Sequence, residues 1–376
     1  MKTLLTIVLT LGLGSCGPFA SASAQEKVVN VYGWGDYIDP KVMEDFTRET
    51  GIKVTYDAYN STASIEEALG GKTGFDVVIV PGRELPRRIA AGQFQRLDKA
   101  KLPNSRNLWP EVMARLAVYD PGNQYSVNYL WFTMGLAYNV DKLKEVFGDA
   151  AADAWRGNES AASWDAIFRP ESLRRFAGCG VMIPDNGEDM FAIALIYLKV
   201  DPASVRPSVI KWAAGFLNIT SRKSKTFDST GYADALANGD ICLAVGSSAE
   251  SFRARDRARE ADSDVEIDFA IPKEGSLMLL DNLAIPANAQ HVEEAYAFID
   301  FLLRPEVAAR NTNFTHIASG VLAAKAAIDA RFGEDTPLYP GDSVMHRLFA
   351  APYRDPAAQK TIGREWATIK AGKYSP

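Results

Sequence analysis

A chain of 376 residues is longer than one ordinary hydrophobic core organises, so two domains are expected. Its 47% apolar and 23% charged residues place it among soluble globular proteins. Acids outnumber bases by 47 to 41, a net charge of −6 that disfavours nucleic acid as a partner and suits a cationic ligand.

The N-terminus reads as an address rather than as part of the globule. Lys2 precedes the apolar run Leu4–Leu13, and Ala22-Ser23-Ala24 has the small-x-small pattern of a cleavage site, so residues 1–24 read as a secretory signal and Gln25 as the first mature residue. Leu13-Gly14-Ser15-Cys16 also resembles a lipobox, which would make Cys16 a lipidated first residue; both readings stay open. No later stretch approaches the ~18 uninterrupted apolar residues of a membrane span. Either way Cys179 and Cys242 remain as an even pair in an exported, oxidising compartment. A disulfide between them is predicted, with two buried free thiols as the alternative.

Val31–Tyr32 begins the first structural signal, a short strand running through Gly33-Trp34-Gly35-Asp36-Tyr37-Ile38 into a helix start at Asp39-Pro40. Asp39 suits the N-cap and Pro40 the first helical position, because Asp accepts from an orphan N–H and Pro has none to satisfy. Trp34, Asp36 and Tyr37 thereby sit at the carboxyl end of a strand, where open α/β sheets bind ligands. A carboxylate between aromatic faces suits an organic cation; the alternative is that both rings merely cap a core.

A helix over 40–50 stopped by Gly51, an alternating strand over 52–56, a capping box at Ser64-Ile65-Glu66-Glu67 and a buried strand over 75–80 extend a β-α-β-α-β pattern. Pro81-Gly82-Arg83-Glu84 is the next strand-to-helix turn. It puts Arg83 at the sheet's carboxyl edge, as a site residue or as a solvated helix start. Helices are expected within 85–120. The aromatic strand 125–138 is long enough to leave one lobe and enter another, and a capped helix over 139–147 and a loop insertion over 149–163 follow it.

A strand over 179–184 leads through a polar turn with Glu188 and Asp189 into an apolar helix over 190–198; acids at such a position also simply suit the helix dipole. After a short helix over 231–238 and a strand over 241–245, the turn 246–250 opens a very polar helix over 251–261, read as a solvated face. Strands over 265–271 and 277–285 come next. The second contains Asp281, a carboxylate whose burial is expensive unless it is paired or functional. Helices over 291–303 and beyond Pro305 complete the reading.

Signs of catalysis are lacking. His291, His316 and His346 stand far apart with no metal-ligand spacing, and no cofactor or metal is implied. Gly71-Lys72-Thr73 is not a phosphate loop, because Glu66 stands where its leading glycine belongs. No Gly-x-Ser-x-Gly elbow occurs. An exported carbohydrate-active enzyme using Asp36 and Asp281 as its acid pair remains the alternative from another class.

Seven stretches in order resemble the periplasmic polyamine-binding proteins of ABC importers, within the type II periplasmic binding proteins: 31–38, 49–54, 73–78, 136–139, 238–242, 271–275 and 301–305. The resemblance spans nearly all of the mature chain. It implies an α/β fold of two lobes, joined by crossing hinge strands, with the ligand cleft between them. Lobe 1 is expected over 25–131 plus 262–305 and lobe 2 over 132–261 plus 306–376. It further implies a polyamine-like ligand, an ABC permease in the inner membrane as partner, a periplasmic location, a monomer and no enzymatic activity, and its disulfide maps onto Cys179 and Cys242.

For the site, the resemblance implies an aromatic box for a methylene chain, with acids at its ends for the ammonium groups. Trp34, Asp36, Tyr37 and Asp281 match in kind, Glu250 replaces a shorter acid, and Asp189 stands where a glutamate is usual. Four positions depart: Arg83 replaces a small hydroxyl residue, Ser247 a tryptophan, Leu279 a phenylalanine and Ile317 a tyrosine. The lost rings remove stacking terms of about 0.5–2 kcal/mol apiece. Arg83, if inward, repels one end of a diamine and suits a carboxylate-bearing amine or amino acid derivative instead.

Overall fold

The computed structural model describes residues 27–374 except 60, 71–73, 157–160, 222–225, 230 and 333–335. The expected export signal (1–24), Cys16, Gln25 and the rejected phosphate loop at 71–73 lie outside the described residues.

Among the described residues eleven strands carry the fold: β1 (Val28–Trp34), β2 (Lys53–Tyr59), β3 (Val77–Pro81), β4 (Ser126–Asn139), β5 (Val181–Ile183), β6 (Thr226–Phe227), β7 (Leu243–Ser247), β8 (Ile267–Ala270), β9 (Ser276–Ala284), β10 (Ala318–Ser319) and β11 (Leu348–Ala350). In the first sheet β1 lies between β2 and β3, parallel to both. The order continues through antiparallel β9 to β4, with β10 added on β4 and β11 on β9. The second sheet takes over the C-terminal part of β4, which pairs with β7 and β8, while β5 lies parallel to β7 and β6 to β5. β4 therefore serves both sheets, and its 14 residues are buried almost throughout. A strand buried on both faces has no polar face to alternate with, which is why it reads as one long aromatic run.

Local signals explain the frame that places the site. Asp39 accepts from Lys41 N at 2.9 Å, Pro40 follows, and Gly51 at φ 71° closes the helix Pro40–Thr50. Its apolar face buries Val42 and Phe46. Asp76, at the start of the buried strand, is fully buried but accepts from the backbone and side chain of Asn30 at 2.9 and 3.0 Å. It also accepts from Gln290 N and His291 N, ahead of the helix Val292–Leu302. Four donors satisfy a carboxylate that would otherwise be costly in the core.

The chain crosses between the sheets three times. β4 is the first crossing, and residues 271–275, leading from β8 to β9, are the second. The third follows β11, when the helix Pro356–Lys370 packs on the helices Gly187–Tyr197 and Pro207–Ser221. β8 pairs within the second sheet, whereas the helix Pro305–Thr315 packs against Pro40–Thr50 beside the first. Two buried clusters result, one around Val31, Phe46, Val78 and Phe298, the other around Trp164, Phe191, Ile193 and Leu243.

Several local expectations are corrected. Residues 149–155 form a helix rather than a loop, because three consecutive alanines favour it and Ala152 and Trp155 find a core to enter. The helix expected from a box at Ser64 begins at Thr62. The polar helix Ser248–Glu260 is solvated on one side only; Phe252, Ala254 and Ala258 face inward, and the Arg255 guanidinium lies 4.8 Å from the Phe252 ring. Helices Pro207–Ser221 and Pro356–Lys370 were not anticipated, although Asp355 accepting from Ala358 N at 2.8 Å is an ordinary N-cap.

Cys179 and Cys242 form a disulfide with a Cα–Cα distance of 5.5 Å. The bond ties the starts of the adjacent strands β5 and β7, beside the hydrogen bond from Cys242 N to Gly180 O.

Candidate functional site

The carboxyl ends of β1, β2, β3 and β7 open onto a cavity of about 1030 Å³ between the two sheets. On the first wall Trp34 ends β1. Its carbonyl accepts from the Tyr56 hydroxyl, and its ring lies 4.5 Å from the Tyr59 ring and 6.4 Å from that of Tyr37. Tyr59 is held by its hydroxyl, which donates to Ile79 O at 2.5 Å. The Tyr37 carbonyl accepts from Tyr129 at 2.8 Å, and the Tyr37 hydroxyl donates to Asp281 Oδ2 at 2.9 Å. Asp281 lies opposite Pro81 in the β3–β9 pairing and is 4% exposed. Burial pushes its carboxyl up to about 6, against the opposing effects of the Tyr37 hydrogen bond and the Arg83 charge. The same burial, with the neighbouring carboxylate, drives Tyr37 well above its ordinary value.

Arg83 sits in the turn after β3. It reaches across the cavity to the helix Gly187–Tyr197, where its Nη2 lies 2.8 Å from Asp189 Oδ1. Burial opposes the guanidinium charge, but Asp189, Tyr119 and Glu188 outweigh it, so Arg83 stays protonated. Asp189 is held from behind by Asn186, which caps the helix and donates from Nδ2 to Asp189 Oδ2 at 2.6 Å. Next to it Glu188 lines the cavity, and burial raises its carboxyl while Arg83 and Arg354 lower it.

The rest of the second wall comes from the end of β7. Ser247 caps the helix Ser248–Glu260 by accepting from Glu250 N at 3.2 Å, and its own N–H donates to the Tyr232 hydroxyl at 2.9 Å. Glu250 Oε1 pairs with Arg253 Nη1 at 2.7 Å, one turn along. Phe132 and Met134 of β4 and Leu279 of β9 supply apolar lining between the walls.

A family model described as bacterial extracellular solute-binding protein matches residues 41–337. The chain belongs to this family. Its members bind and transport solutes rather than transforming them, and they work outside the cytoplasm. This solute-binding protein is 40% identical over 374 residues to the putrescine-binding periplasmic protein SpuD of Pseudomonas aeruginosa, with 99% of this chain and 98% of that one covered. It is 39% identical over 353 residues to the putrescine-binding periplasmic protein PotF of Escherichia coli, with 93% of each covered. Its fold matches a spermidine/putrescine substrate-binding protein from Streptococcus pneumoniae with a TM-score of 0.80 at 23% identity, over 93% of this chain and all of the other. The fold is thus the expected two-lobed one.

Within this solute-binding protein the cavity gathers Trp34, Tyr37, Arg83, Asp189, Ser247, Glu250, Leu279, Asp281 and Ile317 from elements far apart in the chain. It does not gather Asp36. That residue takes the left-handed conformation at φ 57°, is exposed, and is not among the lining residues. An aspartate tolerates this backbone better than most residues. An acid pair of Asp36 and Asp281 is therefore not assembled across the cavity. Arg83 does point inward, but toward a carboxylate already in place.

Sequence reasoning missed Tyr59, Tyr232, Arg253 and the lining role of Glu188. Arg253 was legible as the i+3 partner of Glu250, and Tyr59 as the end of a strand beside β1. Tyr232 had no local signal, because only tertiary packing brings its hydroxyl to Ser247.

Proposed function

We propose that this protein captures a polyamine or polyamine-like organic cation outside the cytoplasm and hands it to an ABC importer in the inner membrane. Asp281 carries the reading: a buried carboxylate hydrogen-bonded by Tyr37, with the rings of Trp34 and Tyr59 lining the same cavity. A carboxylate so desolvated attracts an ammonium strongly, and the rings accept both the charge and the attached methylenes. The putrescine-binding relatives at 39–40% identity support the same class of ligand. A carboxylate-bearing amine has less support, since Arg83 and Arg253 each already face an acid.

The lobes follow the two sheets. The division drawn over 25–131 plus 262–305 and 132–261 plus 306–376 shifts accordingly, with β8 joining lobe 2 and the helix Pro305–Thr315 and β10 joining lobe 1. Ligand contacts on both walls favour closure, the form the permease reads, and the working unit is a monomer. Residues 1–24 direct export and Gln25 begins the mature chain; intact-mass measurement distinguishes that start from lipidation at Cys16.

The test of the ligand class is a titration of Trp fluorescence, since Trp34 lines the cavity, on protein freed of ligand by unfolding and refolding. Putrescine, spermidine and N-acetylputrescine are offered beside neutral amides and sugars. Saturable binding of at least one amine, lost in Asp281→Asn by about 2–5 kcal/mol, is expected. Silence from every amine overturns the reading.

A further inference from the structure

Of the acids that line the cavity, some hold a cation already and others do not. Among the described residues the lining includes Glu84, Glu188, Asp189, Glu250 and Asp281. Glu84 pairs with Arg87 and Arg88 at 3.1 and 3.2 Å, Asp189 with Arg83 at 2.8 Å, and Glu250 with Arg253 at 2.7 Å. Asp281 is left with the uncharged hydroxyl of Tyr37. Glu188 is left with less: its Oε2 is buried and accepts no hydrogen bond among the described residues. Arg354 stands close, but its Nη1 and Nη2 donate to the carbonyls of Glu188 and Pro202, at 3.4 and 2.8 Å, rather than to the carboxylate. Burial outweighs the nearby Arg83 and Arg354 charges, so the Glu188 carboxyl sits above its ordinary range. A cation in the cavity would offset that cost.

The two acids without a cation lie on opposite walls. Asp281 belongs to β9 in the first sheet, whereas Glu188 is in the first turn of the helix Gly187–Tyr197 in the second lobe. Resting on the proposed capture of an amine, we infer that Glu188 is a specificity-determining residue, the acceptor of a second ammonium group, and that its neighbour Asp189 is not, because Arg83 already holds it. The ligand is then a dication strung across the cleft, one end on Asp281 and the other on Glu188. A carboxylate paired with a guanidinium has little net charge to offer an incoming ammonium. An unpaired carboxylate in a low-dielectric cleft offers all of it. A monoamine anchored at Asp281 leaves Glu188 desolvated and unmatched, so the second charge is what the cavity selects. Because each end of the dication holds a different wall, the second ammonium also favours closure.

The experiment is calorimetric titration at pH 7.5 of the ligand-stripped mature protein with putrescine and butylamine, which share a four-carbon chain and differ by one ammonium group. Butylamine affinity is read from its displacement of putrescine where its own heat is small. Putrescine is expected to bind more tightly by about a hundred-fold or more, and in Glu188→Gln that ratio is expected to fall by about ten-fold or more. Replacing the neutral pair together, in Arg83→Gln/Asp189→Asn, is expected to change the ratio less than Glu188→Gln does. Glu188→Gln is also expected to unfold at a urea midpoint no lower than that of the unmodified protein, since glutamine carries no charge to desolvate. Equal binding of the two amines by the unmodified protein overturns the inference while leaving amine capture standing. So does an unchanged ratio in Glu188→Gln, or a larger loss in the double variant, which assigns the second ammonium to Asp189. A lower urea midpoint for Glu188→Gln, or failure to fold, marks the residue as structural and overturns the inference too. Silence from both amines overturns amine capture and this inference with it.

Discussion

Replacing Asp281 by asparagine separates what the residue does for binding from what it does to stability. The carboxyl titrates at 3.8 in an unfolded chain and at about 6 when buried here. Between those values the unfolded chain has released its proton while the folded one retains it, so folding stability falls as pH rises through that window. At 1.36 kcal/mol per unit the cost is about 3 kcal/mol above pH 6. Asparagine has nearly the same shape, its oxygen still accepts from Tyr37, and it carries no charge to desolvate. The variant is therefore expected to be more stable than the unmodified protein at pH 7.5, by as much as about 3 kcal/mol, and to lose amine binding. Urea unfolding of both ligand-free proteins from pH 8 to pH 3.5 tests this. The advantage should shrink as pH drops below 6 and vanish below 4. Lower stability of the variant at pH 7.5, or a gain that does not change with pH, refutes the account of Asp281 as a carboxylate held for its charge at a structural cost.

Amine affinity itself should follow the same group: at pH 5 only about one molecule in ten has Asp281 ionised before ligand arrives, so calorimetry should show roughly ten-fold weaker binding than at pH 7.5. Tyr37→Phe removes a hydrogen bond that favours the ionised form. Its pH profile of binding should move to higher pH, which titrations between pH 5 and 8 would register. Asp36→Ala, outside the cavity and exposed, should change the Kd by no more than about two-fold in the same assay. Removing the Cys179–Cys242 bond, which spans 63 residues, should cost on the order of 4 kcal/mol by chain entropy. A lower urea midpoint with an unchanged Kd in Cys179→Ser/Cys242→Ser is the expected pair of readouts.

The sheet frame was legible because its signals are local. Asp39-Pro40 and Gly51 bracket a helix by capping alone, and β3 and β4 announce burial on both faces through unbroken apolar runs. Most of the candidate site was legible for a related reason: strand ends gather at one edge of a parallel sheet, so residues at those ends meet. Asp36 shows the limit of that argument. Lying between Trp34 and Tyr37 in sequence does not decide whether a side chain turns inward, and this one, in the left-handed conformation, is exposed. The pairing of Arg83 with Asp189 was beyond sequence reading, since the two lie 106 residues apart on opposite walls. Each was visible at its own strand end; that they neutralise each other is a property of the folded cleft. The helix over 149–155 was misread because Gly148 and the polar residues nearby resemble a loop, while its stability comes from the pocket that receives Trp155.

The bond between Cys179 and Cys242 also bears on the order of events in the cell. In a reducing cytosol the chain lacks this cross-link, and the strands that lead into the Asp189 and Glu250 wall are held by their ladder hydrogen bonds and packing, without a covalent tie. Oxidation on the far side of the membrane then removes much of the freedom of the unfolded state, so maturation is completed where the solute is met. A single covalent link thus makes the compartment part of the folding instructions, and a molecule retained in the cytosol would be left with its second wall unsecured.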